Sequence, residues 1–272
     1  MKYKLMLFDM DGTLLNSEKR IPAETVRMME KAERAGLQCA LGTGRCLTEL
    51  APYGEQPAGL RYAVLESGGL VYDLKEKRIL HRTCFRTGLI EIIVAASLKE
   101  DVMIQFMAGG EGVAQASDIS RMPHYRMEAY QKLYQETIRP VPDIRSEALR
   151  RAGEIEKINV FHVSPEARKR TRERLRGLPV EAVDAEQTSV EFSPMGVNKG
   201  RGLLDLCEIL HRDLSECAAV GDADNDLTML GAAGFAVAMG NANEHVKKIA
   251  DIIVADNDHG GCAEALRRVM AF

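Results

Sequence analysis

The stretch FDMDGTLLNS, Phe8 to Ser17, places two carboxylates two positions apart at the end of the short apolar run YKLMLF. Residues i and i+2 of an extended chain point the same way, so Asp9 and Asp11 are expected to project together from one strand end. Adjacent anions repel. Their pairing makes physical sense where a hard cation such as Mg2+ neutralises them, and Gly12 lets the backbone turn tightly beside it. An acidic surface loop is the competing reading of the pentapeptide DMDGT, residues 9–13. A second acidic strand end weakens that alternative: in AVGDADNDL, Asp222, Asp224, Asn225 and Asp226 also follow an apolar run and a glycine. A helix N-cap accounts for one of these acids, not for three.

Outward from these two points, short apolar runs alternate with helical patterns. The strand YKLMLFD leads to an amphipathic helix PAETVRMMEKAERAG, with Pro22 at its start and Gly36 as its stop, and then to the strand LQCALGTGR. RYAVLES reads as a further buried strand and LVYDLKEKRILHR as a hairpin turning on KEK. Toward the C-terminus the rhythm returns in KGRGLLDLCEILHRD, ECAAVGD, NDLTMLGAAG, FAVAM, NEHVKKIA, DIIVAD and GGCAEALRRVM. Such alternation predicts an α/β fold, a Rossmann-like parallel-sheet core with helices on both faces and ligands at the carboxyl edge. Residues 83–189 differ in texture: a helix TGLIEIIVAASLKED and strands VMIQFMA and INVFHV are separated by a polar stretch, RMPHYRMEAYQKLYQETIRPVPDIRSE. They predict an inserted α/β domain, leaving residues 1–82 and 190–272 as the core.

Two further pieces bear on an anion. LGTGR, residues 41–45, follows a strand and is expected to precede a helix, so the Thr43 hydroxyl, the Gly44 N–H and a helix N-terminus could cradle an oxyanion, although a simple turn has the same sequence. Lys199 in GVNKGRGLL stands at a helix start, a place unfavourable to a cation unless it has an anionic partner.

Composition narrows the choices. The 272 residues are 46% hydrophobic and 28% charged, enough for two domains, and 36 basic against 40 acidic side chains give no general attraction to nucleic acid or an anionic membrane. In the charge cluster EARKRTRERLRG, 166–177, Ala167, Thr171 and Leu175 fall on one helical stripe with the following Leu178, so its basic residues read as the solvated face of a surface helix. No uncharged apolar run reaches membrane-spanning length, the N-terminus has too few apolar residues for a signal peptide, and the expected address is cytoplasmic. Six cysteines without a C-x-x-C pair and six histidines without H-E-x-x-H spacing argue against zinc or a disulfide framework. Oligomeric state is not legible.

Together, FDMDGTLLNS, LGTGR, VNKGRGLLDLCEIL, VGDADNDLTMLGAAGFAVAMGNANEHVKKIADIIV and DHGGCAEAL resemble, in order and spacing, the haloacid dehalogenase-like (HAD) superfamily, and more narrowly its Cof-type phosphatases. Two departures stand out: TGRC lacks the proline that commonly follows the arginine, and ESGG at 66–69 replaces a more usual Asn-Gly pair. The resemblance implies a Mg2+-dependent phosphomonoesterase acting on small phosphorylated metabolites, sugar phosphates or similar, through an aspartyl phosphate, with residues 83–189 as a large cap. It assigns Asp9 as nucleophile and Asp11 as general acid and base. The metal would be held by Asp9, the Asp11 carbonyl and Asp222, with Asp226 as ligand or close neighbour. Phosphate contacts fall to backbone N–H groups after Asp9, at Met10, and to Thr43, Gly44, Lys199 and Asn225. A sugar phosphomutase on the same core is the nearest rival, and a phosphoacceptor signalling domain a more distant one, disfavoured by the second carboxylate of DMDGT.

Overall fold

A computed structural model describes residues 2–54 and 59–272. The chain divides into two compact units, one formed by residues 1–44, 53–81 and 198–272 and the other by 45–52 and 82–197. The unit boundary at Val197 differs from the expected one at 189/190, because the strand Ser189–Pro194 hydrogen-bonds inside the second unit's sheet.

In the first unit the chain runs β1 (Leu5–Phe8), α1 (Ala23–Arg34), β2 (Gln38–Gly42), β3 (Tyr62–Leu65), β4 (Leu70–Asp73) and β5 (Arg78–Arg82). After the insertion it resumes with α7 (Lys199–Leu210), β12 (Cys217–Gly221), α8 (Leu227–Ala232), β13 (Phe235–Ala238), α9 (Glu244–Ile249), β14 (Ile252–Ile253) and α10 (Gly261–Met270). The strands form one sheet in the order β14-β13-β12-β1-β2-β3-β4-β5, parallel from β14 to β3 and antiparallel at β4. LMLF and CAAVG are buried throughout, as strands covered on both faces must be. Right-handed crossovers running in opposite directions from the centre place α1 and α8 on opposite faces; α10 packs on α1 and α7 on α8. The topological switch lies between β1 and β12, and both acidic motifs leave the sheet there.

The second unit is a six-stranded sheet, β10-β11-β9-β6-β7-β8, antiparallel except for the pairing of β7 with β8. Its elements are α2 (Thr87–Ser97), β6 (Val102–Ala108), β7 (Glu111–Gln115), α3 (Ala116–Ser120), α4 (Gln131–Thr137), β8 (Arg139–Val141), α5 (Ile144–Arg150), β9 (Lys157–His162), α6 (Pro165–Arg174), β10 (Val180–Ala185) and β11 (Ser189–Pro194). One face packs Ile104, Phe106, Ile158, Val160, Val190 and Phe192 against Ile90, Ile93 and Val94 of α2. On the basic helix α6, Ala167 and Thr171 are buried while Arg170 and Arg174 both reach Glu100. Strands β7, β8 and β10 and the short helices inside 121–147 were not legible in the sequence: β7 carries few apolar residues, and β10 is an edge strand whose acids break the alternation.

Candidate active site

Parallel pairing fixes the site. Phe8 lies opposite Val220 and Leu41, so Asp9, Asp222 and Thr43 leave the carboxyl ends of three neighbouring strands, and the Asp9 N–H donates to the Val220 carbonyl at 3.0 Å. One carboxylate oxygen each from Asp9, Asp222 and Asp226 lie within 4.8 Å of one another. Lys199, the first residue of α7, sends its Nζ into this cluster, 2.5 Å from Asp9 Oδ1 and 2.7 Å from Asp226 Oδ1. Asp226 is fully buried, and its other oxygen accepts the Asp222 and Ala223 N–H groups at 2.9 and 3.1 Å. Gly221 and Gly12 permit the crowding: a Cβ at Gly221 would stand 2.6 Å from Asp226 Cβ, and one at Gly12, where φ is +83°, 2.5 Å from Asp222 Oδ2.

The electrostatics are those of a site short of positive charge. Burial, then the neighbouring Asp226, push the Asp9 carboxyl well above the ordinary carboxylate range against the pull of Lys199. Burial likewise raises Asp222. Burial works against the Lys199 ammonium, but Asp226 and Asp9 outweigh it and hold its pKa above the usual lysine value.

A family model described as haloacid dehalogenase-like hydrolase matches residues 6–266. The chain belongs to this family. It is 27% identical to the phosphatase YwpJ of Bacillus subtilis over 98% of this chain and all of that protein. It is also 27% identical to the 5-amino-6-(5-phospho-D-ribitylamino)uracil phosphatase YcsE of Bacillus subtilis, over 97% of this chain and 94% of the relative. Among solved structures, a haloacid dehalogenase-like hydrolase from Bacteroides thetaiotaomicron superposes with a TM-score of 0.83 at 27% identity, covering 98% of this chain and 99% of that one.

Other expected residues of this HAD chain are placed less tightly. Asp11 is partly exposed and pairs with Lys19 at 3.0 Å. The Thr43 N–H donates to the Val64 carbonyl, so any contribution of Thr43 to an anion site rests on its hydroxyl. Among the described residues the element that follows LGTGR is not an α-helix but a 3-10 turn, Thr48–Tyr53, containing Pro52, in place of the expected helix N-terminus behind Gly44. Met10 is fully buried, its carbonyl accepting the Leu15 N–H. Asn225 is exposed on the Asp224–Asp226 turn and takes no part in the bonds joining Asp9, Lys199 and Asp226.

Three supports went unassigned in the sequence. Thr13 Oγ1 donates to Asp222 Oδ1 at 2.7 Å, Asn241 Nδ2 donates to the Gly12 carbonyl at 2.8 Å, and Asn243 Nδ2 donates to Asp224 Oδ1 at 2.8 Å. All lie within the stretches DGT and GNANEH that carry the resemblance. Their polar side chains beside the acids were the available signal. Among the described residues, no helix is long and apolar enough to cross a membrane.

Proposed function

We propose that this chain is a Mg2+-dependent phosphomonoesterase that hydrolyses small phosphorylated metabolites, sugar phosphates or similar, through an aspartyl-phosphate intermediate. The observation that carries the reading is the meeting of Asp9, Asp222 and Asp226 within 4.8 Å around the buried Lys199 ammonium. In this reading the first unit is the catalytic core and the second its inserted cap. Membership of the family, and the phosphatase names of its relatives, support it.

The donor set fits a hard divalent cation. All candidate ligands are oxygens, and burial first, with the neighbouring Asp226 second, raises the carboxyls of Asp9 and Asp222, a penalty that a bound cation would offset. Asp9, Asp222 and the Asp11 carbonyl would hold the ion. Asp226, with both oxygens engaged by Lys199 and by backbone N–H groups, would serve chiefly to hold the lysine and the Asp222 turn. When bound, Mg2+ supplies charge neutralisation between the carboxylates and an incoming phosphate dianion.

The chain's own residues then divide the work. A carboxylate oxygen of Asp9 attacks phosphorus in line, the ester P–O bond breaks, and an aspartyl phosphate forms. Asp11 gives its proton to the departing alkoxide and then takes one from the water that attacks the phosphoryl group, releasing phosphate and restoring Asp9. Its exposed pairing with Lys19 is weak and opens at little cost. Lys199, the Thr43 hydroxyl, the N–H groups of Met10 and Gly44 and the Asn225 side chain are assigned to the phosphoryl oxygens. The name of YcsE, with its 5-phospho-D-ribitylamino group, favours a phosphorylated polyol as the kind of substrate. Among the described residues none of the six cysteines is in a disulfide, which accords with a reducing, cytoplasmic setting.

The deciding experiment is inorganic phosphate release from a panel of sugar phosphates, pyridoxal phosphate and flavin mononucleotide, with Mg2+ and with EDTA. Release equal to substrate consumed, abolished by EDTA, supports hydrolysis; consumption without release points to transfer onto a second hydroxyl.

A further inference from the structure

Lys199 occupies a position that little in its local sequence favours. As the first residue of α7 it meets the positive end of the helix dipole, and its Nζ is buried. Its placement therefore depends on what grips the first turn of α7. On one side that grip is α8 beside Asp226: the Gly200 N–H donates to Thr228 Oγ1 at 3.1 Å, and a Cβ at Gly200 would stand 2.4 Å from the Thr228 carbonyl oxygen.

On the other side stands the loop after β3. Glu66, Ser67 and Gly68 are left-handed in succession, with φ of +55°, +58° and +103°. Two consecutive non-glycine residues in this region are uncommon, and such strain persists only where surrounding structure enforces it. The enforcing contacts are visible: the Ser67 N–H donates to the Thr43 carbonyl at 3.0 Å, and the Gly69 N–H to the Glu66 carbonyl at 3.1 Å. Gly68 then presses on the helix start. A Cβ there would lie 2.1 Å from the Asn198 carbonyl oxygen and 2.6 Å from its carbon, while one at Gly202 would lie 2.9 Å from Gly68 Cα. One strained loop thus touches both Thr43 and the residue preceding Lys199.

We propose that Gly68 is a positioning residue for the reaction, seating the first turn of α7 so that Lys199 meets Asp9 and Asp226 in register with Thr43. The inference rests on the phosphatase reading above, with Lys199 on the phosphoryl group. Any side chain at Gly68 must push the Asn198 carbonyl away, and Lys199 moves with it. A displacement of about 1 Å at a reacting centre costs on the order of a hundredfold in rate.

The test compares wild type, Gly68→Ala, Lys199→Gln and the double variant. Three quantities are measured: kcat/KM for p-nitrophenyl phosphate, the Kd of inorganic phosphate by calorimetry in Mg2+, and thermal stability. The expected result is a loss of roughly a hundredfold in kcat/KM for Gly68→Ala at temperatures where it is folded. Phosphate binding should weaken with it, and the double variant should bind phosphate no more weakly than Lys199→Gln alone, because the glycine acts through the lysine. A Gly68→Ala protein that melts earlier but keeps its kcat/KM, or losses that multiply in the double variant, would overturn the proposal. Should Gly68→Ala not fold, Gly202→Ala perturbs the same contact from the helix side, where its Cβ meets a Val64 methyl at 2.3 Å and side-chain movement can absorb part of the overlap. An inactive wild type would instead refute the phosphatase reading, and the phosphate-binding cycle would still report on Gly68.

Discussion

Lys199 Nζ stands 2.5 Å from Asp9 Oδ1 across 190 residues of sequence, and the parallel sheet is what closes that gap. β1 and β12 are neighbours at the switch point, so the acids that follow them emerge side by side, and α7 delivers its first residue between them. Burial, and then the neighbouring Asp226, make the Asp9 carboxylate harder to ionise than an exposed one, against the pull of Lys199. The arrangement is thus kept at a cost in stability, a common condition of catalytic sites, and it makes the site's behaviour open to direct measurement.

Asp9→Asn removes the proposed nucleophile and one of the crowded charges while keeping the side chain's shape. Phosphate release should fall by about 10^4-fold or more. In EDTA the melting temperature should rise, because the native environment disfavours the charge that is removed. A variant that still turns over substrate at more than a few per cent of the wild-type rate would exclude the covalent route.

Thr13→Val replaces the hydroxyl that holds Asp222 Oδ1 at 2.7 Å with a methyl of similar size. Loss of such an orienting hydrogen bond costs metal sites roughly 10–100-fold in affinity. The Mg2+ concentration for half-maximal activity should therefore rise by that factor, with kcat at saturating Mg2+ changing much less. An unchanged Mg2+ dependence would show that Asp222 needs no support from Thr13.

Mg2+ itself should stabilise the protein. At a hundredfold excess over Kd, binding contributes about 2.7 kcal/mol, a shift of several degrees in melting temperature. Because burial raises the Asp9 and Asp222 carboxyls, protons compete with the ion, and the shift should be larger at pH 8 than at pH 5. Asp222→Asn should abolish it. A Mg2+ shift that survives in Asp222→Asn would move the binding site elsewhere.

Much of this was legible in the sequence for definite reasons. Buried parallel strands write themselves as continuous apolar runs, and LMLF, CALG and CAAVG end at the residues that matter, so both the core and the meeting of Asp9 with Asp222 could be inferred. What could not be read depends on contacts distant in sequence. Nothing local tells that Thr13 holds Asp222, or that Gly68 lies against Asn198. The 3-10 turn after Gly44 was hidden too, because TELAPY shows no period that separates it from a helix start. In the second unit, half-exposed β10 alternates too weakly against its acids to be distinguished from a loop.

Glu156 offers a pH test away from the acid cluster. It is fully buried, its Oε1 lies 2.7 Å from Arg82 Nε, and its Oε2 accepts the Gly109 N–H at 2.9 Å. Burial outweighs these partners and pushes its carboxyl from the ordinary 4.5 up to about 7. The folded state thus holds this proton more tightly than the unfolded chain does. The corresponding stability is full below the unfolded value and is lost as pH rises through about 7. The loss amounts to at most about 3 kcal/mol. Denaturant titrations at pH 5 and pH 8 should show the wild type losing that increment, whereas Glu156→Gln, which cannot ionise, should lose less by the same amount. Parallel pH dependence in the two proteins would mean that Arg82 keeps Glu156 charged throughout, and that the ion pair rather than burial governs this position.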